Sequence, residues 1–266
     1  MRKRRDAIQI SERELTVMTN ELQEMHHETM PHMYEAVAEW AELGREQRAP
    51  ESTASRLSRR GFLAGTGVAL GGAILVACSS SSKSSGSGST TTVAGTTGAN
   101  SDLKIAALAT SLENLAIATY QGGIDAATKG SLGAVPPAVV TFAKTAQSQH
   151  QDHAAAWNAI ITGAGKPKVT GVDSTVKTGV IDPAFAKVKD VPGLAKLALT
   201  LEEVAAATYL ASIDLIKDPG GIKTSASIHP VEMQHAAILS FVLGQYPVPD
   251  DFASTQQARG LTDKIA

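Results

Sequence analysis

An all-α fold is what the C-terminal part of this 266-residue chain predicts: a four-helix bundle of two helical hairpins joined by one long crossover. Three observations carry it. Gly and Pro clusters cut residues 101–266 into four helix-length segments, two joined by a few residues, then about 30 residues, then two more joined by a few. Residues 111–126 and 200–215 repeat each other, with eight of sixteen positions identical, so the two hairpins share a pattern. Aromatics are only 4% of the chain and alanine is abundant, which suits closely packed helices better than a β-sandwich.

Residues 1–55 are charged and helix-prone, and are expected to stay in the cytosol or be removed. Leu15, Met18, Leu22 and Met25 make a short apolar stripe. "MHHETMPHM" (25–33) gathers three histidines and three methionines, a composition that suits a soft metal or simply a solvated helix with incidental histidines. Pro31 is expected to interrupt any helix there, and a start at Met30 or Met33 would shorten this zone.

Residues 56–78 read "RLSRRGFLAGTGVALGGAILVAC". Arg59 and Arg60 followed by Gly61, Phe62 and Leu63 resemble a twin-arginine export signal. The apolar run to Ala77 is softened by glycines and short for a membrane span, so it fits a signal core better. Leu75-Val76-Ala77-Cys78 resembles a lipobox, which implies cleavage before Cys78 and a lipid on its sulfur. The expected partners are the twin-arginine export machinery and, through lipidated Cys78, the membrane. The expected place is the outer face of the cytoplasmic membrane, or the periplasm. Cys78 is the one cysteine, so no intrachain disulfide forms. Residues 79–100 are a Ser/Thr/Gly tether, too polar to fold; as a coil it would reach roughly 25 Å.

In the domain, the first helix is expected over 102–129 and the second after Pro136-Pro137 to 162. The third follows Pro192-Gly193 to 217, and the fourth runs from Ser225 or Pro230 to 243. Residues 169–180, rich in Val, Thr and Gly, do not read as helix. Net charge is −2 and Arg259 is the lone arginine of the last 166 residues, which excludes a phosphate-reading surface for nucleic acid.

Glu113, Ile117, Tyr120 and Ile124 share one helix face, as do Glu202, Ala206, Tyr209 and Ile213. A carboxylate on a core face must be protonated, paired or bound to a cation. The four domain histidines all lie in the second and fourth segments. "EMQH" puts Glu232 and His235 three residues apart, and "HQDH" puts His150 and His153 at the matching place; "HAAAW" and "HAAIL" follow. Residues at that spacing point the same way and can grip one ion. A Glu on each of two helices plus a Glu-x-x-His on each of the other two is the ligand plan of di-iron and di-manganese bundles. Asp152 is turned about 100° from His153 and is a poor ligand candidate. Glu203 is turned away from Glu202 and reads as solvated, and His229, before Pro230, reads as an ordinary polar residue at a helix start.

On Glu113 with Tyr120, His153, Glu202 with Tyr209, and Glu232 with His235, residues 101–246 resemble the ferritin-like superfamily, in particular its exported members. The resemblance implies transition-metal ions held by Glu113, His150, His153, Glu202, Glu232 and His235. Tyr120 and Tyr209 read as core aromatics that hydrogen-bond a carboxylate, with a radical role as the alternative. Iron or manganese is favoured. His150 stands where that motif would have glutamate, which lowers the negative charge and opens the site to zinc or copper, or to one ion instead of two. Metal-dependent oxidation, storage or buffering is the implied activity, and an oligomer is compatible with it. Two other readings stay open: a metal-free structural or stress-related envelope bundle, and a binding module using residues 164–192 or the tail after Pro247.

Overall fold

The computed structural model describes residues 9–46, 95–247 and 253–260. Five long helices build it: α1 Glu12–Glu46, α2 Gly95–Thr128, α3 Pro137–Gly163, α4 Val191–Ser212 and α5 Pro219–Val242. Helices α2 and α3 pack as one hairpin, α4 and α5 as the other, and α2 meets α4 between them. No strand occurs among the described residues. The bundle is therefore all-α, with the long connection between α3 and α4.

Helix ends follow local chemistry. Asp190 caps α4 by accepting from Gly193 N at 2.7 Å, and Asp218 caps α5 by accepting from Gly220 N and Gly221 N at 2.8 and 3.1 Å. Pro137, Pro192 and Pro219 sit in first turns, where no backbone donor is needed. Gly244, at φ 71°, closes α5 while Gln245 N reaches back to Ser240 O at 2.8 Å.

Several boundaries differ from the sequence reading. Helix α2 starts at Gly95, inside the stretch read as tether, so residues 95–100 are helical; 79–94 lie outside the described residues. Arg59, Arg60 and Cys78 lie outside them too. Helix α4 stops at Ser212, short of 217, and α5 starts at Pro219, before Ser225 or Pro230. Pro31 and Pro230 both sit inside helices, because packing of the flanking turns outweighs one lost backbone bond at each. Residues 174–185 of the crossover are also helical, in three short turns, one of them π-helical. The crossover is strapped down by its own backbone: Val169 N donates to Asn158 Oδ1 at 2.8 Å, and Gly171 O accepts from Asn114 Nδ2 at 3.0 Å.

The largest correction concerns α1, which is not a solvated helix. It lies along α3 and α5 and buries Leu15, Thr19, Leu22, His26, Met30, Met33, Ala36, Val37 and Trp40. The buried stripe thus differs from the one read in sequence: Met25 is 43% exposed, whereas His26 is buried. The three histidines and three methionines of residues 25–33 point to different sides and form no metal cluster among the described residues. Among these same residues no helix is long and apolar enough to cross a membrane.

Candidate metal centre

The bundle interior holds an uncommon load of charge. Glu113 on α2, His150 and His153 on α3, Glu202 on α4, and Glu232 and His235 on α5 are all at most 2% exposed. Their polar atoms form two overlapping groups: Glu113, His150, His153 and Glu232, and His150, Glu202, Glu232 and His235. In each group the four ligand atoms lie within 4.8 Å of one another. His150 and Glu232 belong to both, the arrangement of two adjacent cation sites with shared ligands. All six residues proposed from sequence are thus brought together.

His150 spans the centre. Its Nδ1 lies 2.7 Å from Glu113 Oε2 and its Nε2 lies 3.3 Å from Glu202 Oε1. With a carboxylate against each nitrogen, these contacts favour the imidazolium, which donates from both. Burial alone would lower its pKa, but the Glu232 and Glu202 charges and the bond to Glu113 push it well above the ordinary value. His153 is raised to about 9: burial works against this, and Glu113 and Glu232 overcome it. His235 is raised in the same way, against burial, by Glu202 and Glu232. The carboxylates answer in the opposite sense. Burial would raise Glu113, yet His153 and His150 bring it to about 2. Glu202 falls well below its usual value under His150 and His235, again against burial.

Pairing is incomplete at one place. His153 Nδ1 lies 3.0 Å from Glu232 Oε1, but the two are not aligned as a hydrogen bond. His153 Nδ1 and both carboxylate oxygens of Glu232 are buried without a hydrogen-bond partner. Such orphans are costly. A cation between them would satisfy all three atoms, so the residues present fit a bound metal.

The tyrosines cross over. Tyr120 of α2 donates to Glu202 Oε1 of α4, and Tyr209 of α4 donates to Glu113 Oε1 of α2 at 2.5 Å. Each holds the glutamate of the other repeat. Trp157 Nε1 donates to the Tyr209 hydroxyl at 2.7 Å and extends that line. Asp152 is outside both groups, and its Oδ2 lies 3.3 Å from His26 Nε2. Glu203 is half-buried and accepts from Gln257 at 3.1 Å. His229 is also outside the cluster, but it sits inside α5, not at a helix start.

Sequence reasoning missed Gln149, Gln23 and His26. Gln149 is fully buried, with Oε1 2.7 Å from His235 Nε2 and Nε2 donating to Gln23 Oε1 at 2.9 Å. Gln149 lies one residue from His150, but an uncharged side chain carries no ligand signal. Gln23 and His26 belong to α1, which the sequence reading set apart from the domain.

No curated protein and no solved structure matches the chain. The family described as Ferritin-like domain does match, over residues 101–245, which takes in α2 to α5 and all six cluster residues. More than half of the chain lies in that match, and its buried Glu/His cluster occupies the interior of those four helices: the chain belongs to the Ferritin-like domain family.

Proposed function

We propose that this is an exported, lipid-anchored ferritin-like protein that binds a transition metal in the bundle core and buffers or oxidises it. The observation that carries the metal reading is Glu232, whose two oxygens are buried without hydrogen bonds and belong to both ligand groups. Glu113, His150, His153, Glu202, Glu232 and His235 would hold the metal, with Tyr120 and Tyr209 fixing the two terminal carboxylates. A bound transition metal supplies redox or Lewis-acid chemistry. Three carboxylates with three imidazoles favour divalent ions: iron or manganese by family, zinc or copper by nitrogen content. Elemental analysis of the purified protein tests this. A stoichiometric transition metal is the expected result, and a metal-free protein that takes up none of these ions would overturn it.

A second reading has its own support. His150, His153 and His235, when protonated, neutralise the three carboxylates without any ion, as a metal-free structural bundle would require. The same analysis decides between them.

Export and anchoring rest on Arg59-Arg60, the apolar run and Cys78. Replacing both arginines with lysine is expected to keep the protein in the cytoplasm. Cys78→Ser is expected to leave it uncut or to release it from membranes; a processed, membrane-bound Cys78→Ser protein would refute lipidation. A cut before Cys78 would also separate α1, which precedes the signal, from the bundle, so the contacts of α1 with the bundle belong to the uncut chain.

A further inference from the structure

The family match begins at residue 101, yet α1 reaches the metal centre from outside it. Three lines of contact run inward. Gln23 binds Gln149, which binds His235. His26 Nε2 lies 3.3 Å from Asp152 Oδ2, and its ring centroid is 5.4 Å from that of His153. Trp40 packs edge-on against Trp157 at 6.2 Å, and Trp157 holds Tyr209, which holds Glu113. The bundle is shaped for this helix. A Cβ on Gly220 would lie 2.6 Å from Ala36 O, one on Gly221 would lie 2.7 Å from Trp40 Cζ3, and one on Gly163 would lie 2.9 Å from Ala41 Cβ.

We propose that, in the uncut chain, α1 is the outer wall of the metal centre, and that Gln23 is a positioning residue that fixes, through Gln149, which nitrogen of His235 faces the site. This rests on the metal reading above. A metal-binding histidine uses one nitrogen as ligand and donates its other N–H to an acceptor, and that acceptor sets the tautomer. Here the acceptor is Gln149 Oε1, 2.7 Å from His235 Nε2. His235 Nδ1 is then the ligand atom, 3.3 Å from Glu202 Oε2 and 3.6 Å from Glu232 Oε2. An amide flips at little cost unless both ends are held. Gln149 stays carbonyl-inward because its NH2 donates to Gln23 Oε1 at 2.9 Å. Gln23 is held in turn, with Nε2 2.7 Å from His27 Nε2. Without the Gln23 acceptor, Gln149 can turn its NH2 inward. His235 Nε2 must then accept, the proton moves to Nδ1, and the ligand atom is blocked.

The test is Co²⁺ titration into the full chain, following the d–d absorption bands and the affinity by chelator competition. Gln23→Met keeps the size and removes the acceptor; Gln23→Glu keeps an acceptor for the Gln149 amide. Gln23 is only partly buried, so both variants are expected to fold, with helix content checked by circular dichroism. Gln23→Met is expected to weaken Co²⁺ binding about tenfold or more and to change the d–d bands, the usual scale for losing an outer partner of a ligand. Gln23→Glu is expected to keep both. Wild-type affinity and bands in Gln23→Met, or equal losses in both variants, would overturn the role of Gln23 while leaving the metal site standing. A wild-type protein that binds no Co²⁺ would overturn this proposal together with the metal reading.

Discussion

Tyr209 of α4 donates its hydroxyl hydrogen to Glu113 of α2 at 2.5 Å, and the equivalent Tyr120 of α2 does the same for Glu202 of α4. The repeat seen in sequence is thus a reciprocal clamp. Each copy supplies a carboxylate to the centre and a phenol that steadies the other copy's carboxylate. This explains why the glutamate and the tyrosine seven residues later recur together.

Tyr209→Phe removes the phenol that stands between Trp157 and Glu113. It leaves the Trp157 N–H without its acceptor and Glu113 Oε1 without its donor, while Glu113 Oε2 keeps His150. A loss of about 1–3 kcal/mol is expected, the cost of unsatisfied buried polar groups. Urea unfolding of the metal-free protein measures it. A change below about 0.5 kcal/mol would mean that water or a rotated neighbour replaces the hydroxyl.

Glu202→Ala leaves His150 and His235 without the carboxylate that faces both. Breaking a buried pair on one side costs about 3–5 kcal/mol, and the ligand set loses a member. Addition of Mn²⁺ or Zn²⁺ is expected to raise the Tm of the wild-type protein and not that of Glu202→Ala. Glu203→Ala, a neighbour outside the cluster, is expected to keep the rise. Thermal melts with and without metal give the answer, and a retained rise in Glu202→Ala would remove Glu202 from the ligand set.

The metal-free centre is held by protonated histidines, so its stability depends on pH with a defined sign. His153 has its pKa raised to about 9 in the fold. Its contribution is full below the unfolded value of about 6.5 and is lost as pH rises through about 9. Glu113, lowered to about 2, contributes above its unfolded value of about 4.3 and loses that as pH falls toward about 2. The Tm of the metal-free protein is therefore expected to fall between about pH 6.5 and 9. Metal must displace these same protons, so metal affinity is expected to rise over that window and binding to release protons. Titration calorimetry in buffers of different ionisation enthalpy counts the protons. Zero release near pH 7 would contradict protonated histidines.

How far the sequence carried these conclusions depended on where the signal was local. Helix-length segments and the six cluster residues were legible because Gly/Pro stops and the i, i+3 spacing of Glu232 and His235 are read within one turn of helix. The start of α2 at Gly95 was not: Gly, Thr and Asn make up five of residues 95–100 and have weak helix propensity, so no local pattern marks a helix start there. Pro31 failed as a breaker because packing of the flanking turns outweighs one lost backbone bond. The hold of α1 on the centre was the least legible. Gln23 and His26 meet Gln149 and Asp152 across 126 residues of chain, and no local pattern encodes a contact of that range.

His150→Glu tests the one departure from the usual ligand plan. In the present chain three carboxylates face three imidazoles, and His150 bonds Glu113 through one nitrogen and Glu202 through the other. The variant replaces that internal cation with a fourth carboxylate. Four carboxylates would then face two imidazoles in a fully buried space, and the metal-free protein is expected to be destabilised by several kcal/mol or to take up protons instead. Two divalent ions would balance that set. The variant is therefore expected to show a larger rise in Tm on adding Fe²⁺ or Mn²⁺ than the wild-type protein, and a preference moved away from Zn²⁺ and Cu²⁺ toward these oxygen-seeking ions. Parallel melts across the four metals, with elemental analysis of each loaded sample, give both readings. An unchanged metal-free Tm together with an unchanged metal order would mean that His150 neither neutralises the carboxylates nor sets the choice of ion.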